Sequence, residues 1–343
     1  MSESNNKKKL NKAEQELFNE VVAQLEKGTA PWEMPWDSKG APQNMKTGAE
    51  YSGQNKLYLS IVMLLRKYKD PRFITFIQMR EYNKRSDVEN QIRIPRGTKG
   101  YPIQYVNYYS RELKRTLTGK DFKNYTQAEI QEKLESGEIY FFSKIATVFN
   151  IEQCEGVFPK YFNSADKRKS NVDLSLISEL ANKMDLKLNI SPMNKQAYYS
   201  PTQDMVHLPS PERFKKDGGF YKTTFHEYAH ATGHSSRLNR ELSSRGEPKS
   251  YAKEELRAEI ASLFLAQKLD FPVDDIEITN SSSYIESWLS LIRKEPNVLF
   301  ESAKDASEIS DYLYFYVKEY EDDIFKERKK YKEMEEVAFS YGS

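Results

Sequence analysis

The pentapeptide His226-Glu227-Tyr228-Ala229-His230 constrains this chain more than any other stretch of it. Two imidazoles four residues apart are neighbours on one face of a helix, where they can aim at one metal ion. Glu227 stands one step round that helix, within reach of a water on the metal rather than of the metal itself. Zinc lowers the pKa of such a water to about 7. A carboxylate beside it can take the proton and later pass it to a leaving amine. Two unrelated surface histidines would give the same five letters, but the chain has only four histidines, and His226, His230 and His234 fall within nine residues. The helix is expected over residues 220–232, with Gly233 closing it. Short strands expected at 186–191, 197–200 and 205–208 precede it, in the place where a metallopeptidase keeps the edge strand that aligns a peptide.

A third protein ligand is needed. A longer histidine motif would place it at position 236, which is Ser236. His234 follows Gly233, where it can orient a ligand, serve as an alternative ligand, or pack at a helix terminus. The next expected helix, 251–269, offers Glu255 and Glu259 on one stripe, flanked by Leu256, Ile260 and Leu263 and by Ala258 and Leu265. Carboxylates set into an apolar face are costly unless paired or metal-bound. Glu255-x-x-Ala258-Glu259 resembles the segment of thermolysin-like zinc peptidases in which the first carboxylate binds zinc and the second orients a ligand histidine. Glu255 is therefore the preferred ligand and Glu259 the alternative. Glu254 is read as an acid serving the helix dipole.

Composition sets the surroundings. Hydrophobic residues make up 38% of the 343 and charged residues 30%, with 23 Tyr and 18 Phe, enough apolar surface to fold into two domains. No stretch approaches the roughly 18 apolar residues of a membrane helix, and the first fifteen residues lack the apolar core of a secretory signal. Cys154 is the one cysteine, so no intrachain disulfide forms, and cytoplasmic residence is expected. The net charge of +1 conceals a split: residues 1–125 hold 23 Lys and Arg against 14 Asp and Glu, leaving an excess of about eight acids in the remainder. A basic half invites a polyanion. Single-strand binders combine basic grooves with aromatic platforms. Here Trp32, Trp36, Tyr51, Tyr101, Tyr105, Tyr108 and Tyr109 are interleaved with Lys46, Lys56, Arg93, Arg96, Lys99 and Arg111. Arg96-Gly97-Thr98-Lys99-Gly100 is the leading candidate for phosphate contact, because glycine lets a backbone approach closely.

These motifs resemble the ArdC family of antirestriction proteins. The C-terminal resemblance runs through Ala197-Tyr-Tyr-Ser-Pro201, Asp204 to Pro209, His226 to His234, Arg237-Leu238-x-Arg240, Tyr251 to Glu259 and Tyr284-Ile-x-x-Trp288-Leu289. The N-terminal resemblance runs through Pro31-Trp32, Pro35-Trp36, Asn44 to Asn55, Thr75-Phe76-x-Gln78, Arg96 to Gly100 and Val148 to Gly156. It implies an α+β chain: a mixed α/β domain binding single-stranded DNA (residues 1–162), a linker (163–171), and a zincin-like metallopeptidase domain with a long C-terminal helix (172–343). It implies Zn2+ as the cofactor, single-stranded DNA as a partner, and protection of incoming mobile-element DNA. Trp32, Trp36, Tyr51, Asn55, Lys56, Arg96 and Lys99 are the expected DNA-binding set. Two departures stand out: residues 108–139 resemble an insertion, of which 108–127 is read as a hairpin or flexible segment, and Tyr228 replaces an expected aliphatic residue.

Three functions fit: antirestriction by a DNA-binding, zinc-bearing protein; a zinc protease acting on a host protein, with DNA binding only for placement; and a single-stranded-DNA-binding protein with a non-catalytic zinc site. Glu227 counts against the third, since a structural zinc site has no use for a general base.

Overall fold

The computed structural model describes residues 10–33, 40–84, 91–117, 119–122, 125–156, 158, 173–214, 217–240, 242, 248–269 and 281–341. The expected linker, 163–171, and Trp36 lie outside the described residues. The chain forms two compact units that interleave in sequence. One is built from residues 1–16, 44–48 and 72–159, the other from 17–43, 49–71 and 160–343. The expected division at 163–171 therefore does not separate them cleanly. Two N-terminal segments pack with the C-terminal unit because they are amphipathic and find their apolar cover there.

The first unit is a sheet with short helices. β1 (Gln43–Asn44), β2 (Arg72–Thr75), β3 (Tyr101–Ser110), β4 (Arg115–Thr116) and β5 (Ile139–Asn150) lie in the order β1-β2-β5-β3-β4. β3 and β5 pair antiparallel over ten residues, from Tyr101 opposite Val148 to Ser110 opposite Ile139. β2 stops at Thr75. There the Thr75 side chain accepts from the Gln78 N–H and the Gln78 side chain accepts from the Thr75 N–H, a reciprocal cap that starts α3 (Phe76–Asn83). Within the expected insertion β4 folds back on β3, and α4 (Gly119–Phe122) and α5 (Gln127–Glu135) precede β5. Gly100 is needed for close approach, since a Cβ there would lie 2.4 Å from the Thr147 methyl.

The second unit carries the expected site. α1 (Lys12–Leu25) and α2 (Gly53–Arg66) contribute Leu17, Val21, Leu25, Leu57, Leu59 and Ile61 to buried positions. α6 (Leu174–Lys183) begins on Asp173, whose carboxylate accepts the Leu176 N–H. A three-stranded sheet follows, ordered β6 (Lys187–Ser191), β8 (Met205–Pro209), β7 (Tyr198–Ser200), with β6 parallel and β7 antiparallel to β8. β7 is thus an edge strand. α7 (Asp217–Ala231) packs on this sheet and against α8 (Pro248–Lys268), and α9 (Ser281–Lys294) and α10 (Asn297–Tyr341) close over α8. No described helix is long and apolar enough to cross a membrane.

Two residues of the expected DNA-binding set are core residues. Trp32 is fully buried, with its ring edge-on to Trp288 at 5.4 Å, so neither face is open to a base. Lys56 is equally buried, its ammonium 3.4 Å from Glu50 and 4.8 Å from the centre of the Phe264 ring. Position 56 falls on the inner face of α2, a fact that a basic letter in a charged stretch does not disclose. Tyr51 and Asn55 are half-buried in the same unit, whereas Arg96 and Lys99 are exposed on the loop before β3.

Burial pushes the Lys56 pKa down from 10.5 to about 8, with Glu50 only partly offsetting it. The folded pKa lies below the unfolded one, so between these values the unfolded chain binds more protons. Stability then rises with pH across that window, and the cost is fully present below about pH 8. The shift corresponds to about 3 kcal/mol. Denaturant titrations at several pH values are expected to show the native chain gaining stability from pH 8 to pH 10.5 relative to Lys56→Met, with the variant the more stable at neutral pH.

Candidate metal centre

α7 and α8 meet so that three side chains aim at one point. His226 Nε2 and His230 Nε2 are 3.1 Å apart. Glu255 Oε2 lies 3.4 Å from His226 Nε2, and its Oε1 lies 3.6 Å from His230 Nε2. All three ligand atoms fall within 4.8 Å of one another. A tetrahedral ion with ligands at about 2.0–2.1 Å sets neighbouring donors roughly 3.3 Å apart, so this triangle has the size for a zinc-like ion.

The opposite ring nitrogens explain why the imidazoles point this way. His230 Nδ1 is 3.2 Å from Glu254 Oε1, and His226 Nδ1 is 3.3 Å from Glu259 Oε1, a close but poorly aligned contact. A carboxylate at Nδ1 favours the proton there and leaves the Nε2 lone pairs free to converge. Glu259 thus sits behind His226 rather than beside Glu255, which fits an orienting carboxylate and not a third ligand. His234 is not part of the cluster: its Nδ1 is 2.8 Å from Ser236 Oγ.

Glu254 is the residue that sequence reasoning missed. It is buried, accepts from Arg240 at 2.8 and 3.1 Å and from Arg257 at 3.2 Å, and backs His230. Its sequence signal was a third acid beside Glu255; nothing local indicated that it turned inward. Arg240 also donates to the Ala229 carbonyl at 2.8 Å, and Arg237 donates to the Ala231 carbonyl at 2.7 Å. These two arginines satisfy carbonyls that the end of α7 leaves open, and they complement its dipole. Arg237 reaches on to the Met184 carbonyl at 3.0 Å and pairs with Asp204, tying the end of α7 to the β7–β8 turn. Gly233 has no room for a side chain, because a Cβ would lie 2.4 Å from Leu242 Cδ2. Tyr228, expected to be aliphatic, lies fully buried, and its hydroxyl donates to the Ile177 carbonyl at 2.8 Å.

The electrostatics of the pocket are those of a cation site. Burial opposes ionisation of Glu254, but His230, Arg240 and Arg257 hold its pKa below the usual carboxylate range. Burial likewise opposes Glu255, and the two histidines and the Tyr251 hydroxyl outweigh it. For Glu259, burial is overcome by Lys222 and His226, and the pKa falls to about 2. Burial works against a charged His226, yet Glu259, Glu255 and Glu227 raise its pKa well above the usual value. Glu227 is different: burial pushes its pKa up, against the two histidines and the Tyr199 backbone N–H that donates to it. The Glu227 pKa thus moves in the opposite direction from those of its three neighbours, the separation that acid–base chemistry uses.

Removing Glu254 should take the shared carboxylate from the half-buried Arg240 and Arg257 and release His230. Glu254→Ala is expected to lose about 3 kcal/mol of stability in chemical denaturation. Its divalent-metal affinity should fall about 10–100-fold in competition with a chromophoric chelator.

Known proteins with the same architecture supply the frame. Residues 11–149 match the family described as the N-terminal domain of the anti-restriction factor ArdC, and residues 177–305 match the zincin-like metallopeptidase family MPTase-PolyVal. The crystal structure of the antirestriction ArdC protein from plasmid R388 in its metal-free form is similar, with a TM-score of 0.67 and 26% identity, over 90% of this chain and 99% of that one. The Mn(II)-bound structure of the same protein gives a TM-score of 0.66 at 26% identity, over 90% of this chain and 98% of that one. An Escherichia coli protein named DNA primase TraC is 32% identical over 306 residues, 87% of this chain. The chain spans only 27% of that protein's length. An uncharacterized protein of Sinorhizobium fredii, y4eC, is 25% identical across 87% of this chain and 90% of its own length. With both domains matched in order, and with the fold of a solved ArdC, the chain belongs to the ArdC-type family: an ArdC N-terminal domain followed by a zincin-like metallopeptidase domain.

Proposed function

We infer that this protein protects incoming mobile-element DNA from restriction, binding it single-stranded through its N-terminal domain and carrying a zinc metallopeptidase-type site in its C-terminal domain. The observation that carries this reading is the convergence of His226, His230 and Glu255 beside Glu227, in a chain whose other domain is of the ArdC type. The solved ArdC relative was crystallised with Mn(II), and the E. coli relatives are named DNA primases, proteins that work on DNA. The protein acts in the cytoplasm, where transferred DNA meets restriction enzymes.

In this reading His226, His230 and Glu255 hold the ion, with Glu259 and Glu254 fixing the two rings. Zinc, when bound, supplies Lewis acidity that polarises a peptide carbonyl and acidifies water. Glu227 holds and moves the proton: its carboxylate takes it from the attacking water and returns it to the leaving amine. β7, the edge strand carrying Tyr199, offers backbone groups to an extended peptide.

A second reading, a protease acting on a host protein with DNA binding only for placement, is favoured by the same Glu227. Glu227→Gln separates the two, because glutamine keeps the size of the side chain and leaves the three ligating groups in place. Metal content, thermal melting and affinity for single strands are expected to stay near wild type, while any peptide hydrolysis falls about 10²–10⁴-fold. Protection is then measured by restriction challenge at matched expression. Survival of protection places it in the DNA-binding domain. A variant that behaves like the empty control makes proteolysis the mechanism and overturns the reading.

A further inference from the structure

The β3–β5 ribbon presents a face that the fold does not use. Its paired positions alternate between two sides. One side carries Tyr105 opposite Lys144, Asn107 opposite Phe142 and Tyr109 opposite Tyr140. The first part of that side, Tyr101, Ile103 and Val148, is buried. Beyond Ile103 the side opens: Tyr105 is 41% exposed and Tyr140 43%, and Tyr109 and Phe142 are half-buried. Tyr109 and Tyr140 lie 5.2 Å apart with their planes 32° from parallel. Two cations stand among these rings: Lys144 Nζ is 5.2 Å from the centre of Phe142, and the Arg111 guanidinium is 5.8 Å from the centre of Tyr140. Between Tyr105 and Tyr109, and between Tyr140 and Lys144, this side holds no carboxylate.

Four rings with cations between them have a specific chemistry. Rings exposed by accident would be a hazard on a ribbon, since apolar surface is normally covered. Positions i and i+2 of a strand lie about 6.8 Å apart, so successive nucleotides of an extended strand can each meet one ring. Aromatic side chains stack on bases of any sequence, and lysine and arginine beside them neutralise the phosphates. The opposite side of the ribbon is unlike this one. There Tyr108 packs edge-on to Phe122 of α4 at 5.1 Å, and although Phe141 is 66% exposed and Val106 and Ile145 are exposed aliphatics, no cation stands at the paired positions.

We propose that the Tyr105–Phe142–Tyr109–Tyr140 face of the β3–β5 ribbon is the platform on which a single-stranded nucleic acid stacks its bases, with Lys144 and Arg111 on its phosphates. This rests on the reading of the N-terminal domain as a single-strand binder and gives that binding an address. The address differs from the residues expected from sequence: Trp32 and Lys56 are buried elsewhere, while Tyr140, Phe142 and Lys144 reach the face through β5, far along the chain from Tyr105. DNA and RNA single strands share this chemistry.

The test uses the full chain and fluorescent oligothymidylate of about 20 nucleotides, with oligouridylate and a duplex of equal length as comparisons. Tyr105→Ala, Tyr140→Ala and Phe142→Ala are each expected to weaken oligothymidylate binding about tenfold or more, while Tyr105→Phe keeps it. Lys144→Gln is expected to lower the slope of log affinity against log salt by about one. Tighter binding of oligothymidylate than oligouridylate assigns the platform to DNA, and the reverse order assigns it to RNA and overturns the DNA assignment. Melting curves of these surface variants should match wild type. If wild type binds and the triple alanine variant binds equally well, the platform is wrong although the single-strand reading stands. If wild type binds no single strand, both fall. If the triple variant instead converts a dimer to a monomer in sedimentation with binding unchanged, the face is a self-association surface and the proposal is overturned.

Discussion

Everything at the metal centre depends on keeping four carboxylates ionisable inside a helix–helix interface. Glu227, Glu254, Glu255 and Glu259 lie between α7 and α8, among residues as apolar as Phe225, Leu256 and Ile260. Unpaired, each would carry a desolvation cost of several kcal/mol. Lys222, Arg240 and Arg257 offset part of it, and the remaining negative charge is what a divalent cation would neutralise. Antiparallel packing of the two helices, rather than any one contact, brings these groups together.

That constraint reaches outward. Arg240 must stay within range of both Glu254 and the end of α7, so the segment after α7 turns back at once, and Gly233 leaves the space that the Leu242 side chain fills there. Arg237 carries the same segment to Asp204 and to the Tyr199 hydroxyl, and so to the edge strand β7. The edge strand and the closing turn are therefore one hydrogen-bonded assembly.

The two units divide the work by different physics. The C-terminal unit buries its charge and spends its cations on internal pairs. The β3–β5 ribbon of the other unit leaves its rings and two of its cations at the surface, the arrangement of a platform rather than a core. This is why a count of basic letters in the first half misled at Lys56: a lysine on the inner face of α2 belongs to the packing of Phe264, whatever its neighbours in sequence.

The sequence by itself determined the helix that pairs His226 with His230 and the placing of Glu227 beside them, because both follow from helical periodicity. The cost of acids on an apolar stripe singled out Glu255 and Glu259 together, and only resemblance to thermolysin-like peptidases preferred Glu255. It also determined the α+β class and the order of the two domains, through motifs spread along the chain. Only the tertiary structure decided that Glu254 backs His230, that Trp32 faces Trp288, that α1 and α2 pack in the C-terminal unit, and that Tyr105 and Tyr109 share a side with Tyr140 and Phe142. The physical reason is the range of the information. Periodicity tells which residues of one element share a face. Which face turns inward, and what meets it there, is settled by residues tens or hundreds of positions away.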